Sequence, residues 1–205
     1  MQSAELAFPS RGRLYKEIFM KLLIASDIHG DAVCCKKMLD AAEANGVDKI
    51  VILGDILYHG PRNDLPENYA PKKVIEMLNR IPEKLFCIKG NCEAEVDQMV
   101  LCFPVMNECA WIYDNACKIS MYLSHGHKHN PENLPPLPCG TVFLYGHTHL
   151  LGFTEKDGIL CLNPGSVSLP KGGNARSYAL YEDGSFSIVS LDGEVIDTRK
   201  VHSQQ

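Results

Sequence analysis

The sequence predicts an α/β fold in which two β-sheets pack together with helices outside them. Three observations support this fold class. Apolar, β-branched runs alternate with amphipathic segments in the first half of the chain, and short strand-like runs separated by turn residues fill the second half. Metal-capable polar residues directly follow five of these runs. A length of 205 residues, with 45% hydrophobic and 22% charged residues, suits a single globular domain.

Strand-like and helix-like segments alternate in the first half of the chain. The predicted elements are, in order, strand Lys21–Ser26, helix Asp31–Asn45, strand Lys49–Leu53, helix Pro71–Arg80, strand Leu85–Lys89 and a short helix Glu93–Met99. Gly46 is placed to end the first helix, and Pro71 suits the first turn of the second. The β-α-β-α-β order predicts parallel strands that are joined by right-handed crossovers.

The second half of the chain consists of short strand candidates. They are Glu108–Tyr113, Ala116–Ser124, Thr141–Tyr145, Gly158–Leu162, Ala175–Tyr181 and Ser185–Leu191. The dipeptides Asp114-Asn115, Asp157-Gly158 and Asp183-Gly184 are turn signals that separate some of them. This portion is therefore predicted to be antiparallel, which gives the whole chain a mixed architecture.

Charge, hydropathy and cysteine usage restrict the functional class. A formal net charge of −5 argues against a long nucleic acid as partner, because affinity for backbone phosphates depends mainly on Lys and Arg. No segment approaches the roughly 20 apolar residues of a membrane span, so no membrane partner is expected. The nine cysteines are irregularly spaced and include no CxxC pair, which indicates a reduced, cytoplasmic protein.

The first nineteen residues differ from the rest of the chain. They lack the continuous apolar region of a secretory signal, and the first strand-like run begins directly after Met20. We expect residues 1–19 to be an extension upstream of a natural start at Met20, and residues 20–205 to form one domain. The alternative is a genuine N-terminal helix, because Leu14–Met20 could form two turns.

Five polar clusters follow the predicted strands and supply metal-capable side chains. They are Asp27-Ile28-His29, Gly54-Asp55, Gly90-Asn91-Cys92, His125-Gly126 and Gly146-His147-Thr148-His149. If the preceding runs belong to one sheet system, their ends deliver these side chains to one edge, where open α/β sheets bind ligands. Each cluster alone is weak evidence, since Asp and His residues at strand ends commonly satisfy turns. All five together predict a metal site.

The residue types and their spacing favour two divalent cations. In an extended segment residues i and i+2 point to the same side, so Asp27 and His29 are expected to face one metal together. His147 and His149 repeat this spacing. Asp55 is the natural bridge, because the two oxygens of a carboxylate can hold cations about 3.5–4 Å apart. Oxygen and nitrogen ligands of this kind suit Mn, Fe, Zn, Co or Ni.

This ordered set of motifs resembles that of the calcineurin-like metallophosphoesterases, and it is most similar to their branch of small bacterial and archaeal phosphodiesterases. The likeness runs from about Met20 to about Val189. It implies a four-layer α-β-β-α sandwich of two mixed sheets flanked by helices, with a dinuclear metal site at the strand ends. It also implies metal-dependent hydrolysis of phosphodiester bonds in a small organic substrate through a metal-bridging hydroxide.

The resemblance further implies the cofactors, the assembly and the residue roles. Two divalent ions are expected, with Mn preferred and Zn, Fe, Ni or Co as alternatives, and relatives of this kind often form dimers or larger assemblies, which suggests a homodimer or homotetramer. Metal one would be held by Asp27, His29, Asp55 and His149, and metal two by Asp55, Asn91, His125 and His147. The expected catalytic residues are Asp55, Asn91, Cys92 and His125.

Cys92 departs from much of the superfamily, in which a His follows the Asn and assists as proton donor or phosphate contact. The small-phosphodiesterase branch often has Cys at this position, so the general acid stays open. We expect Cys92 to contact the substrate rather than to act as a nucleophile; a phosphocysteine trapped during turnover would contradict this expectation.

Two further residues are expected to contact the substrate. Arg62 lies on the loop after Asp55 and could bind a phosphate through paired hydrogen bonds, although a solvent-exposed Arg is an equal alternative. His127 follows the candidate ligand His125 by two residues and could touch the substrate or support a ligand.

Three alternative functions stay open at this point. A phosphomonoesterase or a dinucleoside-polyphosphate hydrolase would use the same residues with different pocket contacts. A non-catalytic protein-interaction scaffold would use the same fold, since fold alone does not fix function. Metal-competent side chains at every ligand position favour catalysis over the scaffold.

Overall fold

The computed structural model describes residues 20–201, which form three α-helices, one short 3-10 helix and eleven strands. The helices are α1 (Ala32–Ala44), α2 (Pro71–Leu78) and α3 (Glu95–Val100), and the 3-10 helix is Pro82–Lys84. The strands are β1 (Lys21–Ala25), β2 (Lys49–Ile52), β3 (Leu85–Cys87), β4 (Cys109–Asp114), β5 (Ile119–Ser124), β6 (Val142–Leu144), β7 (Gly152–Lys156), β8 (Ile159–Asn163), β9 (Ser177–Glu182), β10 (Ser185–Ser190) and β11 (Val195–Lys200). The extension expected for residues 1–19 lies outside the described residues.

The first sheet has six strands in the order β11-β10-β9-β1-β2-β3. Strands β1, β2 and β3 are parallel, with Ile24 opposite Val51 and Ile52 opposite Cys87, as the alternation of strands and helices predicted. Strand β9 pairs antiparallel with β1 and continues the sheet through β10 and β11. The carboxyl ends of the three parallel strands therefore lie at one edge.

The second sheet has five strands in the order β4-β5-β6-β8-β7, and it is not antiparallel throughout as the turn signals suggested. Strands β5, β6 and β8 are parallel, whereas β4 and β7 pair antiparallel with their neighbours. The turn dipeptides mark only the hairpins of this half. The long connection over residues 125–141 carries the chain back to begin β6 beside the start of β5, so these two strands run in the same direction.

Alternating side chains build two cores on opposite faces of the first sheet. In β1, Leu23 and Ala25 pack towards α1 and α2, whereas Leu22 and Ile24 pack against the second sheet. Strands β5 and β6 contribute the facing apolar side chains of the inter-sheet core, among them Leu123. This alternation is the period of two that makes a strand present different residues to its two faces.

The two mixed sheets and the flanking helices confirm the predicted fold class, with one difference in the outermost layer. Within residues 20–201 all α-helices precede Cys102, and the helical layer covers the first sheet. The outer face of the second sheet is covered instead by the loop before β6, whose Leu134 and Leu137 pack on a cluster that includes Phe143 and Tyr145. In the same part of the chain, each helix is too short or too polar to cross a bilayer.

Candidate dinuclear metal centre

Asp27, His29 and His149 form a buried cluster at the carboxyl ends of β1 and β6. The Asp27 Oδ1 atom lies 3.5 Å from His29 Nε2 and 3.3 Å from His149 Nε2. The two imidazole Nε2 atoms are 3.2 Å apart. All three side chains are almost fully shielded from solvent, so one small cation at their centre could contact one oxygen and two nitrogens.

A second cluster lies beside the first and consists of Asp55, Asn91, His125 and His147. Its Asp55 also faces the first cluster, so the two clusters share this residue. The His125 Nε2 atom is 3.5 Å from Asp55 Oδ1 and 3.1 Å from Asn91 Oδ1, and His147 completes the group. The other oxygen of the same carboxylate, Asp55 Oδ2, is 3.8 Å from His29 Nε2 in the first cluster. The two oxygens of Asp55 thus face different clusters, which is the arrangement that a bridging carboxylate requires.

The orientation of three imidazoles fits metal binding. The Nδ1 atoms of His29, His125 and His149 each lie within hydrogen-bond distance of a backbone carbonyl, those of Tyr58, Leu53 and Leu169, at 2.7, 2.7 and 2.5 Å. A proton on Nδ1 leaves the Nε2 lone pair free for a metal, and this outer hydrogen bond is what usually orients a ligating His. Two Nε2 lone pairs at van der Waals contact repel each other unless a cation or a proton lies between them.

An unsatisfied buried atom gives independent support for a cation in the first cluster. Asp27 is fully buried, and its Oδ2 accepts a hydrogen bond from the backbone N–H of His147 at 3.0 Å. Its Oδ1 is buried without a hydrogen-bond partner and faces the imidazoles. Buried carboxylate oxygens are normally paired, so this donor set fits a divalent cation.

The protonation states follow from burial and from mutual charge. Burial alone would raise the pKa of Asp27, but the neighbouring imidazoles of His149 and His29 hold its pKa well below the usual range. Burial likewise opposes ionisation of Asp55, and His125 nevertheless lowers its pKa. Burial lowers the pKa of His125, but the carboxylate of Asp55 raises it to about 9. Burial and the charge of His125 lower the pKa of His147 to about 4, which leaves that imidazole neutral.

The backbone at the candidate ligands is left-handed rather than extended. The φ angles are +57° at Asp27, +48° at His29, +56° at Asp55, +65° at His147 and +61° at His149. Positive φ is uncommon for residues other than Gly and costs free energy, and it concentrates at functional sites. The sequence analysis expected these segments to be extended, which would turn side chains i and i+2 to the same side. That premise is wrong, because the backbone here is left-handed. It gives the right outcome for the first pair, whereas the second pair divides between the two clusters.

Two glycines let the strand ends approach each other closely. A Cβ atom at Gly90 would lie 2.6 Å from the backbone nitrogen of Asp55 and 2.7 Å from Glu93 Oε2. A Cβ atom at Gly146 would lie 2.8 Å from Asp27 Oδ2. Real Cβ atoms do not make such contacts, so the clusters can form only with Gly at these positions.

Glu93 is a site residue that the sequence analysis missed. Its carboxylate is buried and accepts hydrogen bonds from the backbone N–H groups of Asp55 at 2.9 Å, Ile56 at 2.7 Å and Gly90. It therefore ties the segment after β3 to the segment that carries Asp55. The sequence offers one signal for this role, since Glu93 is an acidic residue directly after the candidate cluster Gly90-Asn91-Cys92. The predicted helix Glu93–Met99 gives it no role in the site.

The end of β8 and the segment after it hold the first cluster in place. The Asn163 Nδ2 atom donates to the backbone carbonyl of Gly146 at 2.9 Å, and Ser166 Oγ donates to the carbonyl of Asp27 at 2.8 Å. Both side chains are buried. These hydrogen bonds hold the two left-handed turns of the site against each other.

The clusters open into a pocket of about 330 Å³. Its lining residues are Asp55, Arg62, Asn63, Asn91, His147, Thr148, His149 and Lys171. The structure thus brings Arg62 to the pocket, as expected, and adds Lys171, which the sequence analysis did not identify. His127 is not among the lining residues; its ring centre lies 5.4 Å from that of His125 and 6.1 Å from that of His147.

Cys92 lies at the edge of both clusters. Its Sγ atom accepts a hydrogen bond from Asn91 Nδ2 at 3.2 Å and lies within reach of His29 and Asp55. Its backbone N–H donates to Asp55 Oδ1 at 2.9 Å. Burial and the negative charge of Asp55 raise the pKa of the thiol, which keeps it protonated among these groups.

The chain is similar to known proteins along most of its length. The family profile described as "Calcineurin-like phosphoesterase superfamily domain" matches residues 20–184. Phosphodiesterase YfcE of Escherichia coli strain K12 is 46% identical over 177 residues, which are 86% of this chain and 95% of that protein. A solved structure of YfcE, described as a phosphoesterase from E. coli, has a TM-score of 0.86 and 44% identity, and covers 89% of this chain and 100% of that one. Vacuolar Protein Sorting 29 from Cryptosporidium parvum shares the fold alone, with a TM-score of 0.59, 17% identity, and coverage of 90% and 99%.

Proposed function

Because the chain belongs to the calcineurin-like phosphoesterase superfamily, we propose that it is a metal-dependent phosphodiesterase that acts on a small organic phosphodiester. One observation carries this proposal beyond the family assignment. Every candidate ligand position holds a metal-competent side chain, and the structure gathers these side chains into two adjoining clusters that share Asp55. A protein that kept the fold only as an interaction scaffold would not need this complete set.

The proposed ligand sets follow the two clusters. Metal one would be held by Asp27, His29, Asp55 and His149, and metal two by Asp55, Asn91, His125 and His147. Two observations support the first set. Asp27 Oδ1 is buried without a hydrogen-bond partner, and the Nε2 atoms of His29 and His149 face each other beside it. The short distance between His125 Nε2 and Asn91 Oδ1 supports the second.

When bound, two divalent cations lower the pKa of water and offset negative charge on the phosphorus oxygens. The residues of the protein position the reacting groups and supply protons. Asp55 fixes the spacing of the two ligand sets, and Asn91 contributes a neutral oxygen that limits the negative charge of the site. Cys92, held protonated beside the pocket, is proposed to contact the phosphate or the departing alcohol. The neutral imidazole of His147 is free to bind a cation without first losing a proton.

Manganese is the proposed native metal, with Zn, Fe, Ni and Co as alternatives, because the donor set combines carboxylate and amide oxygens with imidazole nitrogens. We further propose that the enzyme works in the cytoplasm as a homodimer or homotetramer. Buried thiols such as Cys35, Cys87 and Cys161 are consistent with a reducing compartment.

The proposal is tested by hydrolysis of bis-p-nitrophenyl phosphate with metal-stripped protein, Mn²⁺ added back, and the Asp55→Asn variant beside the wild type. Loss of the bridging carboxylate should weaken both metal sites at once and reduce turnover by at least about 100-fold. Asp192→Asn is the matched control, because its carboxylate is 85% exposed and lies far along the chain from the clusters. Parallel assays with p-nitrophenyl phosphate separate a diesterase from a monoesterase. Absence of turnover with any of the five metals would contradict the proposal.

A further inference from the structure

The pocket above the metal clusters has an unusual balance of charge. Among the lining residues, Arg62 and Lys171 are cationic, and Asp55 is the only carboxylate. Neither cation forms an ion pair with any side chain of residues 20–201, and both side chains are exposed. Nearby acidic side chains therefore do not neutralise these two positive charges.

Both cations lie on loops that are fastened to the first metal cluster. Tyr58, four residues before Arg62, accepts the Nδ1 hydrogen bond of His29 through its backbone carbonyl. Leu169, two residues before Lys171, accepts that of His149 in the same way. In addition, the backbone N–H of Lys171 donates to the carbonyl of His149 at 3.1 Å. The two loops that carry these cations are thus each hydrogen-bonded to an imidazole of the same cluster, and both cations line the same pocket.

The remaining lining residues of the pocket are all polar. They are two amides, two imidazoles, one hydroxyl and the carboxylate of Asp55, and the lining includes no apolar side chain and no aromatic ring other than imidazole. A pocket for a nucleobase or an aromatic alcohol would offer a stacking or apolar surface. This lining instead suits a compact and strongly anionic molecule.

The net charge of the site also favours a strongly anionic substrate. Two divalent cations of the proposed function would bring four positive charges, which the buried carboxylates of Asp27, Asp55 and Glu93 and the expected hydroxide would offset. Arg62 and Lys171 then add two more, whereas an ordinary phosphodiester carries one negative charge. A substrate with a further anionic group would pair with the surplus positive charge, and a guanidinium and an ammonium each bind phosphate well.

We propose that Arg62 and Lys171 together bind a second phosphate group of the substrate, so that the substrate class is a small phosphodiester that also carries a phosphomonoester. This inference rests on the proposed function. It assigns the two cations to specificity rather than to bond cleavage, which stays with the metal clusters.

The test compares two substrates that differ in the second group, 4-nitrophenyl 2-methoxyethyl phosphate and 4-nitrophenyl 2-phosphonooxyethyl phosphate, neither of which has a free hydroxyl that could attack its own phosphorus. The wild type should prefer the phosphorylated substrate in kcat/KM by about 10-fold or more, and Arg62→Ala and Lys171→Ala should each remove most of this preference. With the methoxyethyl substrate, the same variants should lose activity by a smaller factor than with the phosphorylated substrate, because that substrate lacks the group that the two cations are proposed to bind. Lys171→Glu should reverse the preference. Arg80→Ala, an exposed cation on the helical face, is the matched control and should change neither rate.

A second measurement does not depend on turnover. Inorganic phosphate is titrated into metal-free protein and followed by ³¹P NMR line width, and the Arg62→Ala/Lys171→Ala double variant should bind it more weakly than the wild type or Arg80→Ala. Equal binding by the wild type and the double variant, or equal kcat/KM for the two substrates, would overturn the inference. If neither substrate is cleaved with any metal, the proposed function fails instead, so the two failures are distinguishable.

Discussion

Left-handed backbone is concentrated at the residues that are proposed to bind metal. Five of the seven candidate ligands have positive φ, whereas the three other non-Gly residues with positive φ in residues 20–201 lie at or beside turns between hairpin strands. The sequence shows which residue types follow each strand, so the ligands themselves could be identified. It shows neither the positive φ of these residues nor the division of His147 and His149 between the two clusters.

Gly90→Ala should disrupt the centre without touching a candidate ligand. The new Cβ would lie 2.6 Å from the backbone nitrogen of Asp55 and 2.7 Å from Glu93 Oε2, so the bridging carboxylate has to move. We expect Mn²⁺ affinity to fall by at least about 10-fold, because displacement of groups around a ligand typically costs 10–100-fold. Calorimetric titration of metal into stripped protein measures this. Gly193→Ala is the control: unlike Gly90, Gly193 has a positive φ of +91°, so Ala there adds backbone strain, but a Cβ there meets nothing within 4 Å. Unchanged affinity in Gly90→Ala would refute the argument.

Glu93→Gln should weaken the site because an amide cannot accept hydrogen bonds from both of its ends. The carboxylate accepts from three backbone N–H groups on two segments, and one end of the new side chain would present its own N–H groups to them. A buried donor left unsatisfied costs about 1–3 kcal/mol. We expect kcat/KM to drop by about 10–100-fold together with metal affinity, while Glu95→Gln, at an exposed position of α3, stays at the wild-type level. A loss of thermal stability with metal affinity unchanged would mean that Glu93 serves folding alone.

At the scale of elements, the two strands that the sequence does not predict, β7 and β11, both lie at sheet edges. Strand β7 has no buried residue, and all six residues of β11 are exposed or half-buried. Without an apolar face, neither shows the period of two that identifies a strand. The parallel arrangement of β5 and β6 was missed for a different reason: a loop crossover has no sequence pattern comparable to that of a helix.

One contact between elements of different sheets should make stability depend on pH. The Tyr181 hydroxyl of β9 donates to Asp114 Oδ2 of β4 at 2.6 Å, and the backbone N–H groups of Ala116 and Cys117 donate to Asp114 Oδ1. Burial opposes ionisation of this carboxyl, but these hydrogen bonds lower its pKa below the ordinary value of 3.8. Its contribution is therefore fully present above that value and is lost as the pH falls through the lower pKa of the folded state.

Tyr181→Phe should reduce the free energy of unfolding by about 1–3 kcal/mol at pH 7, because a charged acceptor loses a buried donor. The deficit should shrink at a pH low enough to protonate Asp114, which lies below the ordinary carboxyl pKa of 3.8, because the hydrogen bond then weakens in the wild type as well. Urea denaturation of both proteins at the two pH values measures this. Tyr113→Phe removes an exposed hydroxyl and should have no such effect. An equal deficit at both pH values would show that packing, rather than the carboxylate, accounts for the loss.

At the scale of the whole molecule, the candidate metal centre lies where the two sheets meet. Asp27, Asp55 and Asn91 follow strands of the first sheet, whereas His125, His147 and His149 follow strands of the second. The order of polar clusters along the chain was enough to predict that these side chains would come together, because strand ends of an α/β fold meet at an edge. The pocket cation Lys171 escaped this logic, since it lies on a loop whose position is set by hydrogen bonds to His149.

A centre built from both sheets should stabilise the fold when it is loaded. Metal that binds the folded state alone adds about 2.7 kcal/mol at a concentration 100 times its Kd, and in a chain of this length each kcal/mol raises Tm by about 2–4 °C. We therefore expect the Tm of stripped protein to rise by roughly 5–10 °C on addition of Mn²⁺, as followed by circular dichroism. Asp27→Asn should retain part of this shift through the second cluster, whereas Asp55→Asn, which both clusters share, should lose nearly all of it. A Tm shift that survives in Asp55→Asn would mean that the stabilising metal binds elsewhere and does not depend on the carboxylate of Asp55.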